Sequence, residues 1–592
     1  MQMGDFFSNP ALVTAAVLLI LVAGSAALIL RENRVQREKT LKKLKKSFGK
    51  PGNRQLGTEK LASIGAYARS RDAALPAETP SGSAAAKRAV EKAAENGRAA
   101  VDDITWNDLA LDDVFRRIGG TVSDPGDAVL YDWLRHPLLT KEALASRAKK
   151  ISLFGEKDSL RIRVQGTLAQ AGRLKKLSYF EAMSALRDAK PVGAAKYAFL
   201  GLLTLGSIIL FFFQPLIALF VFLALAVVNL AVYISLRDKT GVYVTAFGCV
   251  LRLIRCGREL SKDGIAELPE ERDRLKALLE KLKAFKKGSA FVMAGAQVNT
   301  GLGNAVLQYI NMFFHLDLIS FDRMLSAAQG EEDTVAELLG LLGGLDAACA
   351  AAGFRASLPS WTEGTLHESA DAAMKAEGLY HPLLEHPVPN NISANGGNLL
   401  TGSNASGKST FLKSLALAAI LGQSLATVPA KAYAAPFYRV LTSMALSDNL
   451  KGGESYFIVE IRSLKRILDA ANAGGAPVLG IVDEVLRGTN TIERIAASSE
   501  ILRTLAAPGE LTFAATHDIE LSYLLEDCYT NYHFEESFDG KDVVFDYKLR
   551  EGRAVSRNAI RLLTAAGYDE AITGRAAALA QNFEKTGAWE RA

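Results

Sequence analysis

Residues 398–422 read NLLTGSNASGKSTFLKSLALAAILG, a short apolar strand, a glycine-bearing loop and then an apolar helix. Gly402, Gly407, Lys408 and Ser409 meet the spacing GxxxxGK[ST]. In a strand–loop–helix context that spacing marks a phosphate cradle, here Gly402, Ser403, Asn404, Ala405, Ser406, Gly407, Lys408, Ser409 and Thr410. Glycines let backbone amides converge on phosphates, Lys408 reaches the outer ones, and the Ser409 hydroxyl suits Mg²⁺. The expected fold here is an α/β P-loop ATPase domain, with ATP and Mg²⁺ as cofactors.

Two later stretches fit the same sheet. PVLGIVDEVLRGTN is an apolar run ending in Asp483 and Glu484. A buried parallel strand reads as such a run, and its carboxyl end is where ligands bind in an open α/β sheet. Asp483 is the expected second metal partner beside Ser409, and Glu484 the group that orients or deprotonates water. A helix-capping carboxylate is the other reading of Glu484. ELTFAATH then brings His517 to the end of a third strand, as a sensor or water-positioning imidazole. Between these lies SDNLKGGESYFIVEIRSLKRIL, a polar glycine loop before a helix, suited to offer amides and the Ser455 hydroxyl to a phosphate in cis or across a dimer.

The chain has 592 residues, enough for roughly three or four domains, and a net charge of +5 too mild for a wholly basic nucleic-acid coat. Its cysteines, Cys249, Cys256, Cys349 and Cys528, show no close pairs of the kind metal sites use, and read as small buried apolar groups.

Two regions look membranous. Ala11 to Leu30 carries no charge and matches the ~30 Å hydrocarbon core of a bilayer. No Lys or Arg precedes it, so it reads as an uncleaved anchor, and the basic flank RENRVQREKTLKKLKKSFGK that follows places the amino terminus outside. The second region, Tyr197 to Ser235, is also uncharged; one helix of that length would reach nearly 60 Å, about two bilayer cores. Two spans turning at Gln214 and Pro215 fit it, with Lys190, Lys196, Arg237 and Lys239 holding both ends in the cytoplasm. A helical hairpin buried in a soluble domain is the competing reading. Three transmembrane helices keep everything after residue 240 on the cytoplasmic side. The expected divisions are an anchor at 1–30, a basic flank and linker at 31–105, an all-α core from 106 to 375 interrupted by a hairpin at 197–235, and the α/β domain at 376–592.

TGSNASGKST, SDNLKGGESYFIVE, VDEVLRGTNT and AATH, in that order, resemble the ATPase domain of the MutS family of DNA mismatch-repair proteins. LKGGES looks superficially like a transporter signature, but Ser455, Phe457 and Glu460 with RGTNT are not transporter features. LDDVFRRIGGTVSDPGDAVLYDWLRHPLL resembles the start of that family's helical core and lever. The resemblance implies a homodimer through the ATPase domain, with Ser455 reaching the partner's nucleotide and Thr489, Asn490 and Thr491 at the interface. It also implies DNA as a partner. On the adenine side it points to Tyr547, Asn391 and, where the family has an aromatic, Val388. No mismatch-reading domain with a Phe-x-Glu wedge fits the first hundred residues. The expectation is a membrane-anchored MutS-like ATPase switching with ATP at a dimer interface, in contact with DNA and the lipid bilayer. The alternative is a membrane-associated scaffold or mechanical protein that no longer binds DNA.

Overall fold

A computed structural model describes residues 31, 34–52, 54–72, 99–174, 178–187, 189–283, 285, 309–369, 371–403, 406–444, 456–486, 489–539, 542–554, 559–565 and 567–589. The expected span at 11–30 lies outside the described residues.

The carboxyl-terminal α/β unit holds two sheets among the described residues. The larger runs in the order β10-β9-β4-β8-β7-β6, with β4 Gly396–Thr401, β6 Arg439–Ser443, β7 Val478–Asp483, β8 Leu511–Ala515, β9 Tyr529–Asp539 and β10 Asp542–Glu551. Neighbours are parallel except β9 and β10, which form an antiparallel pair at one edge. Strands β7 and β8 are buried at every position, as expected of strands covered on both faces. A smaller sheet, β1-β5-β2-β3, comprises β1 Thr365–His367, β2 Met374–Leu379, β3 Asn390–Ala394 and β5 Ala432–Pro436.

The preceding half is helical, and its centre is Glu332–Ser357, which packs along Asp124–Arg135 and Lys141–Glu156. This 26-residue helix is long and apolar enough to cross a membrane, yet 72% of its apolar window is buried in the protein, so it is a core helix. Asp346 on it closes the entry of Asp124–Arg135. Its Oδ2 accepts from the Ser123 amide at 2.9 Å and the Ser123 hydroxyl at 2.6 Å. Full burial pushes the Asp346 carboxyl up to about 6.

The helical half begins earlier than residue 106. Thr58–Asp72 buries Leu61, Ile64 and Ala68 against Asp124–Arg135, and the strap before it is bolted down. There the Arg161 guanidinium lies 3.4 Å from the centre of the Phe48 ring, and Arg54 pairs with buried Asp127 at 2.6 Å. A Cβ on Gly52 would sit 2.3 Å from the Arg116 carbonyl, so only glycine passes there. Much of the presumed linker is therefore core; its Ala- and Pro-rich part, 73–98, lies outside the described residues.

The apolar hairpin turns where the sequence indicates. Ala194–Leu210 ends at Phe211, and Pro215 opens Pro215–Glu259 as its first residue. Phe212 and Phe213 at the turn are 83% and 75% exposed, and only 11% of the apolar window at Pro215–Ser235 is buried. By length and composition Pro215–Ser235 can cross a membrane, while Ala194–Leu210, at 17 residues, is shorter. The second arm does not stop at Ser235. It continues as one 45-residue helix into the core, where Ala246, Phe247, Val250 and Leu253 are buried. At the hairpin base Asp322 caps the first arm, accepting from the amides of Val192, Gly193 and Ala194 at 2.7–2.9 Å. Between the arms Asn229 donates to Thr204 Oγ1 at 2.9 Å, and its Oδ1 pairs with His315 Nε2 at 2.9 Å.

Candidate nucleotide site

Parallel pairing brings three strand ends to one level. Asp483 lies opposite Ala515, and Leu400 pairs with the same residue from the other side. The glycine loop leaves β4 there and enters the helix Lys408–Leu425. Gly402 and Gly407 have φ of 138° and 106°, conformations that favour glycine. A Cβ on Gly402 would lie 2.8 Å from the Phe534 carbonyl of β9, so the loop is drawn tight against the sheet. Buried Lys408 folds back along this loop, donating from Nζ to Gly402 O at 2.7 Å and Ser403 O at 2.8 Å. Asn404 and Ala405 lie outside the described residues.

A cavity of about 490 Å³ opens over the loop. Ser403, Gly407, Lys408, Ser409 and Thr410 line one side, and Asp483 and Glu484 another. Glu484 follows the strand in the left-handed region, φ 58°, with its amide bonded to Ala515 O at 2.9 Å. That turn brings Glu484 Oε1 to 3.0 Å from His517 Nε2, so the two expected catalytic groups form one pair. The segment after Glu484 is fixed in turn by Glu460, whose Oε1 accepts from the Leu486 amide at 2.5 Å.

The far wall is Tyr380, His381, Leu384, His386, Pro387, Val388, Asn390 and Tyr547. Tyr547 has φ 54°, and its ring lies over Gly407. Val388 and Tyr547 are thus both at the cavity. Asn391 is not. Its side chain turns away and accepts from the Gly378 amide at 2.7 Å, while neighbouring Asn390 faces inward. Asn390 holds the strand bearing Tyr547, donating to Tyr547 O at 3.0 Å and accepting from the Leu549 amide at 2.8 Å. The alternating burial of β3 explains the exchange, because a shift of one residue changes the face. The histidines of the wall had no signal in a single sequence. Burial pushes His381 down to about 4, and the Leu383 amide donates to its Nδ1 at 3.3 Å, leaving Nε2 as the protonated nitrogen of a neutral ring.

Ser455 lies outside the described residues. Asn490 caps the helix Thr491–Leu505 by accepting from the Ile492 amide at 3.1 Å, and Asn490 and Thr491 are exposed beside Ile492, itself 78% exposed. Arg494 of this helix forms a two-bond pair with Asp518, next to His517, at 2.6 and 2.9 Å.

The donor set fits Mg²⁺ with a nucleotide: a hydroxyl and one carboxylate line the same cavity as Lys408, and this ion takes few protein ligands when phosphate oxygens complete its shell. Together the tight glycine loop, the buried lysine and the acidic strand end define an α/β domain of the phosphate-loop class. Residues 398–584 match the family model of MutS domain V. The chain is 37% identical over 219 residues to the DNA mismatch repair protein MutS of Natronomonas pharaonis, covering 34% of this chain and 25% of that protein. Over 206 residues it is 33% identical to MutS of Thermus aquaticus, covering 34% and 25%. With the DNA mismatch repair protein MSH3 of Phaeosphaeria nodorum it shares 33% identity over 263 residues, 41% of this chain and 23% of that protein. Residues 398–584 are thus a domain of MutS type, and the chain spans about a quarter of the length of these relatives.

Proposed function

We propose that the protein is a membrane-anchored, Mg²⁺-dependent ATPase of MutS type that works as a homodimer and couples ATP to DNA. The observation that carries the catalytic part is the single cavity lined by Lys408, Ser409, Asp483 and Glu484, with His517 paired to Glu484. Lys408 Nζ exchanges its two loop carbonyls for phosphate oxygens, and the loop amides add donors. Ser409 and Asp483 hold Mg²⁺, which supplies charge neutralisation at the phosphates when bound. Glu484 accepts a proton from water at a carboxylate oxygen, and His517 Nε2, 3.0 Å away, keeps that carboxylate oriented. Tyr547 offers a ring face to the base, with Val388 and Asn390 beside it.

Thr489, Asn490, Thr491 and exposed Ile492 form the dimer face, joined by Ser455 of the signature loop, which completes the partner's site. The exposed apolar hairpin and the 11–30 anchor lie in the bilayer as three spans, with the amino terminus outside and the ATPase domain in the cytoplasm. DNA as the coupled partner is supported by the relatives, each a DNA mismatch repair protein. The test is ATP hydrolysis by detergent-solubilised full-length protein with homoduplex, mismatched and branched DNA. A rate that responds to DNA and vanishes in Lys408→Ala is expected. Hydrolysis indifferent to all three would favour the scaffold reading instead.

A further inference from the structure

The phosphate-loop helix Lys408–Leu425 has two ends, and the nucleotide cavity occupies only the first. At the second the chain leaves through Ala426 in the left-handed region, φ 46°. Carbonyls at a helix end lack intrahelical partners and carry the negative pole of its dipole. Three consecutive carbonyls here are taken by arginines of the helical half. Arg147, from Lys141–Glu156, donates to Ser424 O at 2.6 Å. Arg355, from Glu332–Ser357, donates from Nη2 to Leu425 O at 3.3 Å and Ala426 O at 2.7 Å, and from Nε to Thr427 Oγ1 at 2.8 Å. Both are buried, Arg147 stacked 4.1 Å from Trp133 and Arg355 4.4 Å from Trp361.

Apolar packing alone would hold two static halves together, whereas buried guanidinium groups are costly and fix direction as well as distance. A second hold lies elsewhere on the sheet. Asp108 accepts from Thr442 Oγ1 at 2.6 Å and the Met444 amide at 3.0 Å, and Asp102 pairs with Arg466 of the helix Tyr456–Asn472. The helical half is thus held at two separate places, the end of the phosphate-loop helix and the region of edge strand β6. Glu332–Ser357 in turn touches Pro215–Glu259, the helix that carries the hairpin.

We propose that Arg147 and Arg355 are positioning residues that lock the phosphate-loop helix to the helical half, so that ATP binding at Lys408 moves that half and the hairpin with it. This rests on the reading of the cavity as an ATP site.

The test uses the full chain in lipid nanodiscs, its four cysteines replaced by alanine and spin labels placed at exposed Glu500 and Lys276. ATP affinity and the distance between labels are measured with and without ATP. In the parent, ATP is expected to shift the distance. In Arg355→Met and Arg147→Met, ATP affinity is expected to stay within about fivefold while the shift is lost, and Arg355→Lys to recover part of it. Thermal unfolding identifies a variant that has lost its fold; the lysine variant then decides, a reduced shift with ATP still bound supporting the lock and an undiminished shift overturning it. ATP binding with an unchanged shift in both methionine variants, or no shift in the parent, overturns the proposal. No ATP binding by the parent overturns the ATP-site reading, and the lock with it.

Discussion

Lys408 and Glu484 have separable tasks, and substitution should separate them. Lys408 Nζ donates to the Gly402 and Ser403 carbonyls of its own loop at 2.7 and 2.8 Å, at the mouth of the cavity, so Lys408→Ala is expected to weaken ATP binding itself. Glu484→Gln keeps the volume and removes the base, and is expected to retain ATP while hydrolysis falls by about 10²–10⁴-fold. Equilibrium ATP binding and single-turnover hydrolysis check the pair; a Gln variant as fast as the parent would remove Glu484 from the chemistry. His381 makes a prediction about stability. Its folded value of about 4 lies below the ordinary value of about 6.5, so the unfolded chain binds the extra proton between these limits. Stability is thus complete above pH ~6.5 and falls on acidification towards pH 4, by at most about 3 kcal/mol from this group. Denaturant midpoints at pH 7 and 5 should converge in His381→Asn; an unaltered acid slope would contradict the assignment.

At the scale of elements, legibility followed from how local the signal was. The glycine loop and the strands ending at Asp483 and His517 were readable, because spacing and continuous apolarity belong to short stretches. Asn390 and Asn391 were not distinguishable, since which of two adjacent asparagines faces inward depends on the pairing of β2 with β3. The hairpin turn at Phe211–Gln214 was equally local, but the continuation of its second arm to Glu259 was not, because charge enters that helix at Arg237 without ending it. Residues 48–72 read as flank because their partners, Asp127, Arg161 and Gly353, are distant in sequence. The Asp322 cap shows the same thing: a carboxylate 128 residues away satisfies the amides that open the first arm. Asp322→Ala should therefore destabilise the hairpin base by about 1–2 kcal/mol. Hydrogen exchange at Val192–Ala194 reads this directly, and unchanged protection there would show that the cap contributes nothing.

In the proposed arrangement of the whole molecule, two membrane attachments and one ATPase domain converge on the helical half. The hairpin enters it through Pro215–Glu259, the strap after the 11–30 segment is bolted to Asp127 and Arg161, and Arg355 grips the phosphate-loop helix. Under that proposal the tethered chain would be unsuited to travel along DNA as a freely sliding clamp. Its orientation can be checked by proteolysis of sealed spheroplasts: sites on the ATPase domain should be protected until the membrane is opened, and cleavage from outside would reverse the topology. Dimerisation through the Thr489–Thr491 face predicts hydrolysis that rises more steeply than in proportion to protein concentration, and a proportional rise in Ile492→Asp. The central claim is that an ATPase of MutS type operates from within a membrane. It is tested most directly by the steady-state ATP hydrolysis rate of the full chain in lipid nanodiscs beside Lys408→Ala in the same preparation. The account predicts Mg²⁺-dependent turnover in the parent and loss to background in the variant; equal rates in the two would contradict it.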